Sequence, residues 1–350
     1  MTVTRRRLLL ASAAASPLLA SCATDLTRYR HQPVAGVAAS LGVCAAAHAT
    51  LQAGRVQETV VAGTCGAAPD AVFQAASLTK PVVAYGALRL ALAGQLDLQA
   101  PVSHYLPQGY VHYQHVLRRK PGDASDTVPA SMLARIPVAA LLNHTSGLPN
   151  WTGGTLAPAF EPGQRWRYSG EGYVLLQTVM EAVTGTPIAQ WMDAEVFAPL
   201  GMRDSSLVWN AALEGRAVHA HGDAASGMRW GVPVAAASLY TTAGDYARLL
   251  AAVVADERLL ALAMSAPVVA DKALGLEWGY GWGIERTPAG PMLWQWGNNP
   301  GFRNFAMVSP GSGDGFVLLT NSDRGMALAV PLAQQVLPVE HPVFRSSLLG

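Results

Sequence analysis

The chain is predicted to fold as an α/β (α+β) protein. One antiparallel sheet is assembled from its N- and C-terminal segments and covered by helices, with a mostly helical lobe inserted beside it. Three observations lead there. Strand-like runs gather at both ends, near residues 44–63 and 279–320. The middle carries apolar patterns of helical period. Between Pro81 and Gly94 the sequence is almost wholly apolar, with Arg89 its one charge, which marks a helix buried on most sides. The sheet lobe should comprise about residues 27–75 and 275–340 and the helical lobe about 76–274. Together they form a single catalytic unit over residues 22–350, with the cleft where the lobes meet.

The elements follow in order. Arg5, Arg6 and Arg7 open a basic stretch that runs into an apolar one through Ala20, too short to span a bilayer. Residues 1–21 therefore read as an export signal. Leu19-Ala20-Ser21-Cys22 resembles a bacterial lipoprotein processing box, with Cys22 the lipidated residue and the membrane its partner. The arginines are compatible with twin-arginine or general secretion. Losing this segment removes three arginines and no acids, taking the formal charge from +1 to −2. The expected location is the periplasmic side of a membrane.

Thr27 to Gly42 suits a helix crossed by Pro33. Two strands, about Cys44–Leu51 and Val56–Gly63, flank a turn at Ala53-Gly54. That turn pairs Cys44 with Gly63 rather than Cys65, so a Cys44–Cys65 bridge stays open even in an oxidising compartment. Gln108 to Pro129 reads as a polar surface loop. Helices are expected at Pro137–Asn143, at Gly172–Thr184 with Gly185 closing it, and from Thr242. Strands follow at Gly279–Arg286, Met292–Trp296, Asn304–Ser309 and Gly315–Thr320, the last two joined through Pro310–Gly313. A closing helix is expected over Ala327–Val336.

Ser77 and Lys80 lie one helical turn apart at the head of the apolar helix, which puts hydroxyl and amine on one face. Burial disfavours an ammonium, so Lys80 should be able to accept a proton. A serine beside a desolvated amine is an activated nucleophile. Tyr168, on a loop before a helix, could relay a proton. Gly297, ending a strand, lets backbone approach closely and offer an N–H to an anion.

Around these residues run Phe73 to Pro81, Gly94-Gln95-Leu96-Asp97-Leu98, Leu141 to Pro149, Pro162 to Ser169, Pro199-Leu200-Gly201-Met202, Ser238 to Thr242 and Thr320-Asn321-Ser322. In that order they resemble the serine β-lactamase and penicillin-binding superfamily over about residues 42–325. The similarity is greatest to the branch of class C β-lactamases, DD-peptidases and family VIII carboxylesterases. The resemblance implies Ser77 as acylated nucleophile, Lys80 as its proton partner and Tyr168 in acid/base relay. The backbone N–H groups of Ser77 and Asn298 would form the oxyanion hole. Whether lysine or tyrosine takes the first proton is left open.

Two departures bear on substrate. Gly170 stands where the family has an asparagine, and Gln295-Trp296-Gly297 stands where Lys-Thr-Gly or His-x-Gly is usual. Gly170, Gln295, Trp296 and Gly297 are the expected substrate-binding positions. A neutral Gln295 weakens recognition of a substrate carboxylate, unless Arg303 supplies a cation instead of being solvated. The expected activity is acyl-enzyme hydrolysis of an ester or amide: a β-lactam, a carboxyl ester or a peptidoglycan-derived D-amino-acid peptide. The alternative is a cell-wall binding or scaffold protein on the same fold.

Other candidates carry blander readings. Glu171 either reaches Lys80 or serves the dipole of the helix it starts. His219 and His221 read as surface histidines, for lack of a third ligand. His144 reads as a residue tying down its turn. The nine tryptophans, all after residue 150, either line the cleft or fill the helical lobe, with Trp296 nearest the chemistry. No metal, cofactor or nucleic-acid partner is expected, since neither ligand spacing, phosphate loop nor basic block is present.

Overall fold

The computed structural model describes residues 26–119, 122–221 and 229–349. The export segment and Cys22 lie outside the described residues. Among these residues no helix is long and apolar enough to cross a membrane.

The strands are β1 (Ala46–Gln52), β2 (Arg55–Val56), β3 (Val60–Ala62), β4 (Phe73–Gln74), β5 (Tyr110–Tyr113), β6 (Ser125–Val128) and β7 (Tyr240–Thr241). They continue as β8 (Val268–Asp271), β9 (Leu276–Trp278), β10 (Gly283–Thr287), β11 (Gly290–Asn299), β12 (Phe302–Val308) and β13 (Gly315–Thr320). The main sheet has the order β2-β1-β13-β12-β11-β10-β9-β8, with β3 also on β1. Every pairing in it is antiparallel. The N- and C-terminal strands meet at β1–β13, where Ala46 faces Thr320 and Leu51 faces Gly315.

Both faces of this sheet are covered, which explains why β13 reads Gly-Phe-Val-Leu-Leu-Thr with no polar alternation. Ala47, Ala49, Val317 and Leu319 point into the core shared with the serine helix Thr79–Leu92 and the helix Ala243–Ala255. Ala46, Phe316, Leu318 and Met307 point to the other side, onto helices Val34–Leu41 and Ala329–Val336. Period-two alternation thus survives as a choice between two cores.

Four expectations are corrected. The sheet begins at Val268, before residue 275, because β8 pairs on β9. Helix Ala243–Ala255, assigned to the inserted lobe, packs on β1 and β13. Gln108–Pro129 is not a plain loop: β5 and β6 form a hairpin in which buried His112 faces Asp126, Nδ1 to Oδ1 2.7 Å. Tyr110, His112 and Val128 are buried while Val111, Ser125 and Thr127 face outward. Not every tryptophan serves the cleft or the helical lobe, since Trp278, Trp282 and Trp294 are fully buried in the C-terminal sheet segment.

Cys44 and Cys65 form a disulfide, with Cα atoms 4.8 Å apart. β2 keeps the register of a turn at Ala53-Gly54, Leu51 facing Val56. β3 is shifted by one, Ala46 facing Ala62, and Cys65 N–H then bonds the Cys44 carbonyl at 2.9 Å. That slip alone would set Thr64 opposite Cys44, and a second irregularity at Gly63, whose φ is +113°, brings Cys65 there instead.

Candidate active site

Ser77 lies in a 3-10 turn, Ala76–Leu78, that feeds directly into the serine helix. Ala76 before it has φ +53°, a left-handed conformation costly for a residue with a Cβ. The turn is held from outside. Ala75 N–H bonds the Leu239 carbonyl at 2.8 Å, and Thr79 Oγ1 accepts from Leu239 N–H while donating to the Ala76 carbonyl. β11 presses against it so closely that a Cβ on Gly297 would lie 2.3 Å from the Ala75 carbonyl oxygen. Only glycine fits there, and Gly297 therefore contributes proximity rather than a side chain.

Lys80 is fully buried one turn on. Its Nζ lies 2.9 Å from Ser77 Oγ and 2.8 Å from the Ala236 carbonyl. Its surroundings are aromatic, with the Tyr168 ring centroid 4.7 Å and the Tyr173 centroid 5.7 Å from Nζ. Desolvation pushes the amine well below its ordinary 10.5. Among the described residues no carboxylate is paired with it. Glu171 does not reach it: in the first turn of helix Gly170–Thr184, where the dipole reading places it, Glu171 accepts from Thr152 N–H at 3.1 Å and sits 3.4 Å from His112 Nε2.

Tyr168 completes the group. Its side chain hydrogen-bonds Ser77, and Gln295 Nε2 donates to its Oη at 2.9 Å. Burial pushes the phenol above its ordinary range, and those two hydrogen bonds act against burial. The loop carrying it is fixed by His144, whose φ is +62° and whose Nδ1 accepts from Ser169 N–H at 3.2 Å. His144 is fully buried against the Tyr168 ring, centroids 4.4 Å apart. Desolvation, then the Lys80 charge, holds its pKa well below the usual range, so it is neutral.

The expected substrate-binding positions divide. Trp296 lines the cleft, its ring tilted by 34° against that of Tyr168 with centroids 4.7 Å apart. Gln295 does not reach it: fully buried, it donates to the Ser77 carbonyl at 3.1 Å as well as to Tyr168. Gly170 offers no group either. Asn150 lines the cleft close by, and its Oδ1 accepts from Gly170 N–H at 3.0 Å. A Cβ at position 170 would lie 2.6 Å from the Asn150 carbonyl oxygen and from the Trp151 ring. Gly170→Ala is therefore expected to cost about 1–3 kcal/mol through overpacking, read as a lowered thermal midpoint with reduced turnover. Arg303 is neither a substrate cation nor freely solvated, because Asp323 holds it at 2.7 Å and it donates to the Asn299 carbonyl.

The cleft encloses about 440 Å³. Ser77 and Asn298 sit in its lining beside Leu117, Asn150, Trp151, Tyr168, Trp296, Pro300 and Leu348. Asn150, Leu348 and the Ala236 carbonyl were not singled out in the sequence. Asn299 ties this wall together, its Nδ2 donating to Gln74 Oε1 at 3.3 Å. Elsewhere His219 and His221 are exposed, and the cluster of His221 with Cys44 and Cys65 has its thiols in the disulfide.

The chain is similar to known proteins in sequence and in fold. The family model described as Beta-lactamase matches residues 19–340. Esterase EstB of Burkholderia gladioli is 34% identical over 169 residues, 40% of this chain and 39% of that protein. Penicillin-binding protein 4* of Bacillus subtilis is 30% identical over 167 residues, 41% of this chain and 32% of that protein. The match thus spans well under half the length of either relative. A solved β-lactamase/D-alanine carboxypeptidase from Pseudomonas syringae superposes with a TM-score of 0.70 at 17% identity, covering 87% of this chain and 97% of that one.

Proposed function

The chain belongs to the beta-lactamase family of serine hydrolases, and within it we propose a carboxylesterase that forms an acyl-enzyme on Ser77. The observation that carries this reading is the buried Lys80 amine 2.9 Å from Ser77 Oγ, with Tyr168 bonded to the same serine. Neutral Lys80 takes the Ser77 proton as Oγ attacks the ester carbonyl carbon. The backbone N–H groups of Ser77 and Asn298 receive the developing oxyanion. The alkoxide leaves with a proton returned from Lys80, through Tyr168. Water then attacks the acyl carbon, gives a proton to the same base and frees Ser77 with the carboxylic acid.

The cleft supports an ester over a β-lactam or a D-amino-acid peptide. Those two substrates carry a carboxylate near the scissile bond, and none of the described lining residues is cationic. Leu117, Trp151, Trp296, Pro300 and Leu348 suit an apolar acyl or alcohol group. The esterase named among the relatives agrees. A pure binding protein is not favoured, because a buried amine without a carboxylate partner is a cost that only chemistry explains. Export with a lipid on Cys22 belongs to the same reading, and the Cys44–Cys65 bridge supports an oxidising compartment.

The test compares p-nitrophenyl butyrate with the cephalosporin nitrocefin. Ester kcat/KM is expected to exceed that for nitrocefin by about 100-fold or more, the scale of one lost charged contact. Faster nitrocefin turnover would reverse the assignment.

A further inference from the structure

We propose that the turn Ser347–Leu349 is a size-selecting wall of the cleft, held in place by a buried pair outside the cleft lining, His341 and Glu285. The inference rests on the esterase reading of the site. It adds Leu348 as a specificity-determining residue and His341 and Glu285 as positioning residues.

Leu348 lines the cleft with Leu117, Trp151, Trp296 and Pro300, but the backbone that carries it has little support of its own. After helix Ala329–Val336 the described chain forms two short 3-10 turns, Pro342–Arg345 and Ser347–Leu349, outside every sheet. Such a segment sits where its side chains anchor it. Phe344 is one anchor, buried with its ring centroid 5.2 Å from that of Phe305. The exposed pairs of Glu340 with Arg30 and Arg345 add little.

The stronger anchor is polar. Glu285, on β10, is 1% exposed, with apolar Leu276 and Met292 opposite it on the two neighbouring strands. His341 Nδ1 is hydrogen-bonded to its Oε1, and Val343 N–H donates to its Oε2 at 3.2 Å. His341 Nε2 donates to the Leu337 carbonyl at 2.9 Å, since a carbonyl can only accept. Removing the carboxylate would leave His341 Nδ1 and the Val343 N–H buried and unpaired. From Val343 the bonds run on towards the cleft. Its carbonyl accepts from Ser346 N–H at 2.9 Å, and Ser346 Oγ accepts from Leu348 N–H at 3.3 Å. The sheet thus fixes Leu348 through this chain of bonds, and with it the size of group that the cleft accepts.

The test is the dependence of kcat and KM on ester size, with p-nitrophenyl esters from acetate to decanoate and alkyl butyrates from methyl to octyl. Leu348→Ala should move the preferred size up by about two carbons or more in at least one series. Its KM for p-nitrophenyl butyrate should rise about fivefold, with kcat changed less than about threefold. Glu285→Leu, which breaks the anchor, should shift the size preference the same way, and adding Leu348→Ala to it should change KM by less than about twofold more. Glu285→Gln should keep the wild-type preference, because its amide N–H can donate to His341 Nδ1 while its oxygen accepts from Val343 N–H. An unshifted preference in Leu348→Ala overturns the proposal, as does Glu285→Leu that is merely less stable with its preference unchanged. If Glu285→Leu does not fold, His341→Ala takes its place, with the same expected shift. Wild type that turns over neither series and resists fluorophosphonate labelling sinks the esterase reading instead. Amide hydrogen exchange at residues 343–348 then still decides the anchor: it should quicken about tenfold or more in Glu285→Leu and not in Glu285→Gln, and unchanged exchange in Glu285→Leu overturns it.

Discussion

Alanine at position 77 is expected to lower ester hydrolysis by about 10⁴-fold or more and to abolish fluorophosphonate labelling. The size of the effect follows from the absence of a second nucleophile in place. The described cleft lining holds amides, aromatics and aliphatics besides Ser77 and Tyr168, and Tyr168 is pushed away from ionisation. The fold should tolerate the change. Ser77 Oγ supports no backbone group in the turn, which is held by Ala75, Thr79 and Gln295. A thermal midpoint within a few degrees of wild type, together with lost turnover, separates chemistry from unfolding. Retained labelling in Ser77→Ala would falsify the assignment of the nucleophile.

Lys80→Met should remove about 10³-fold or more of activity and change how stability depends on pH. Methionine keeps an unbranched chain of similar size, so packing is largely preserved. The sign follows from linkage. Burial depresses the folded lysine well below 10.5, while the unfolded chain titrates near 10.5. Between those two values the unfolded state binds one more proton, so wild-type stability rises with pH across that window and is least below it. The variant lacks this dependence. Its thermal midpoint should compare best with wild type near pH 7, and the comparison should move in favour of wild type as the pH approaches 10. A pH-independent difference would mean that Lys80 is charged in the folded protein.

How much of this was legible in the sequence depends on how local each feature is. Ser77 and Lys80 are three residues apart on a helix, and helical geometry alone brings them together. The apolar run behind them announced the burial that tunes the amine. Tyr168 depends on tertiary structure and was reachable only through the resemblance of its loop. The Ala236 carbonyl was beyond reach, because every residue offers one and only the fold selects which faces Lys80. For Gln295 the chemistry was legible, a neutral amide in place of a cation, but its place was not. Position 295 turns inward beneath Tyr168, while its neighbour Trp296 takes the cleft, as alternation along β11 requires.

The same contrast holds for the sheet. Runs such as Gly315–Thr320 were unmistakable, but β8 and β9 are short and mixed in polarity, and they pass for loop until paired. The hairpin at β5–β6 was hidden by its solvent face. The disulfide turned on two register shifts, one between β2 and β3 and one at Gly63, that no residue near the turn signals.

The most direct measurement is the acylation rate of wild-type protein by p-nitrophenyl butyrate as a function of pH, followed by stopped flow with the adduct mapped by mass spectrometry. The expected result is an adduct on Ser77 and a rate that rises through one midpoint well below 10.5, then levels. A rate still climbing towards 10.5, or an acyl group carried by another residue, would contradict a neutral Lys80 acting on Ser77.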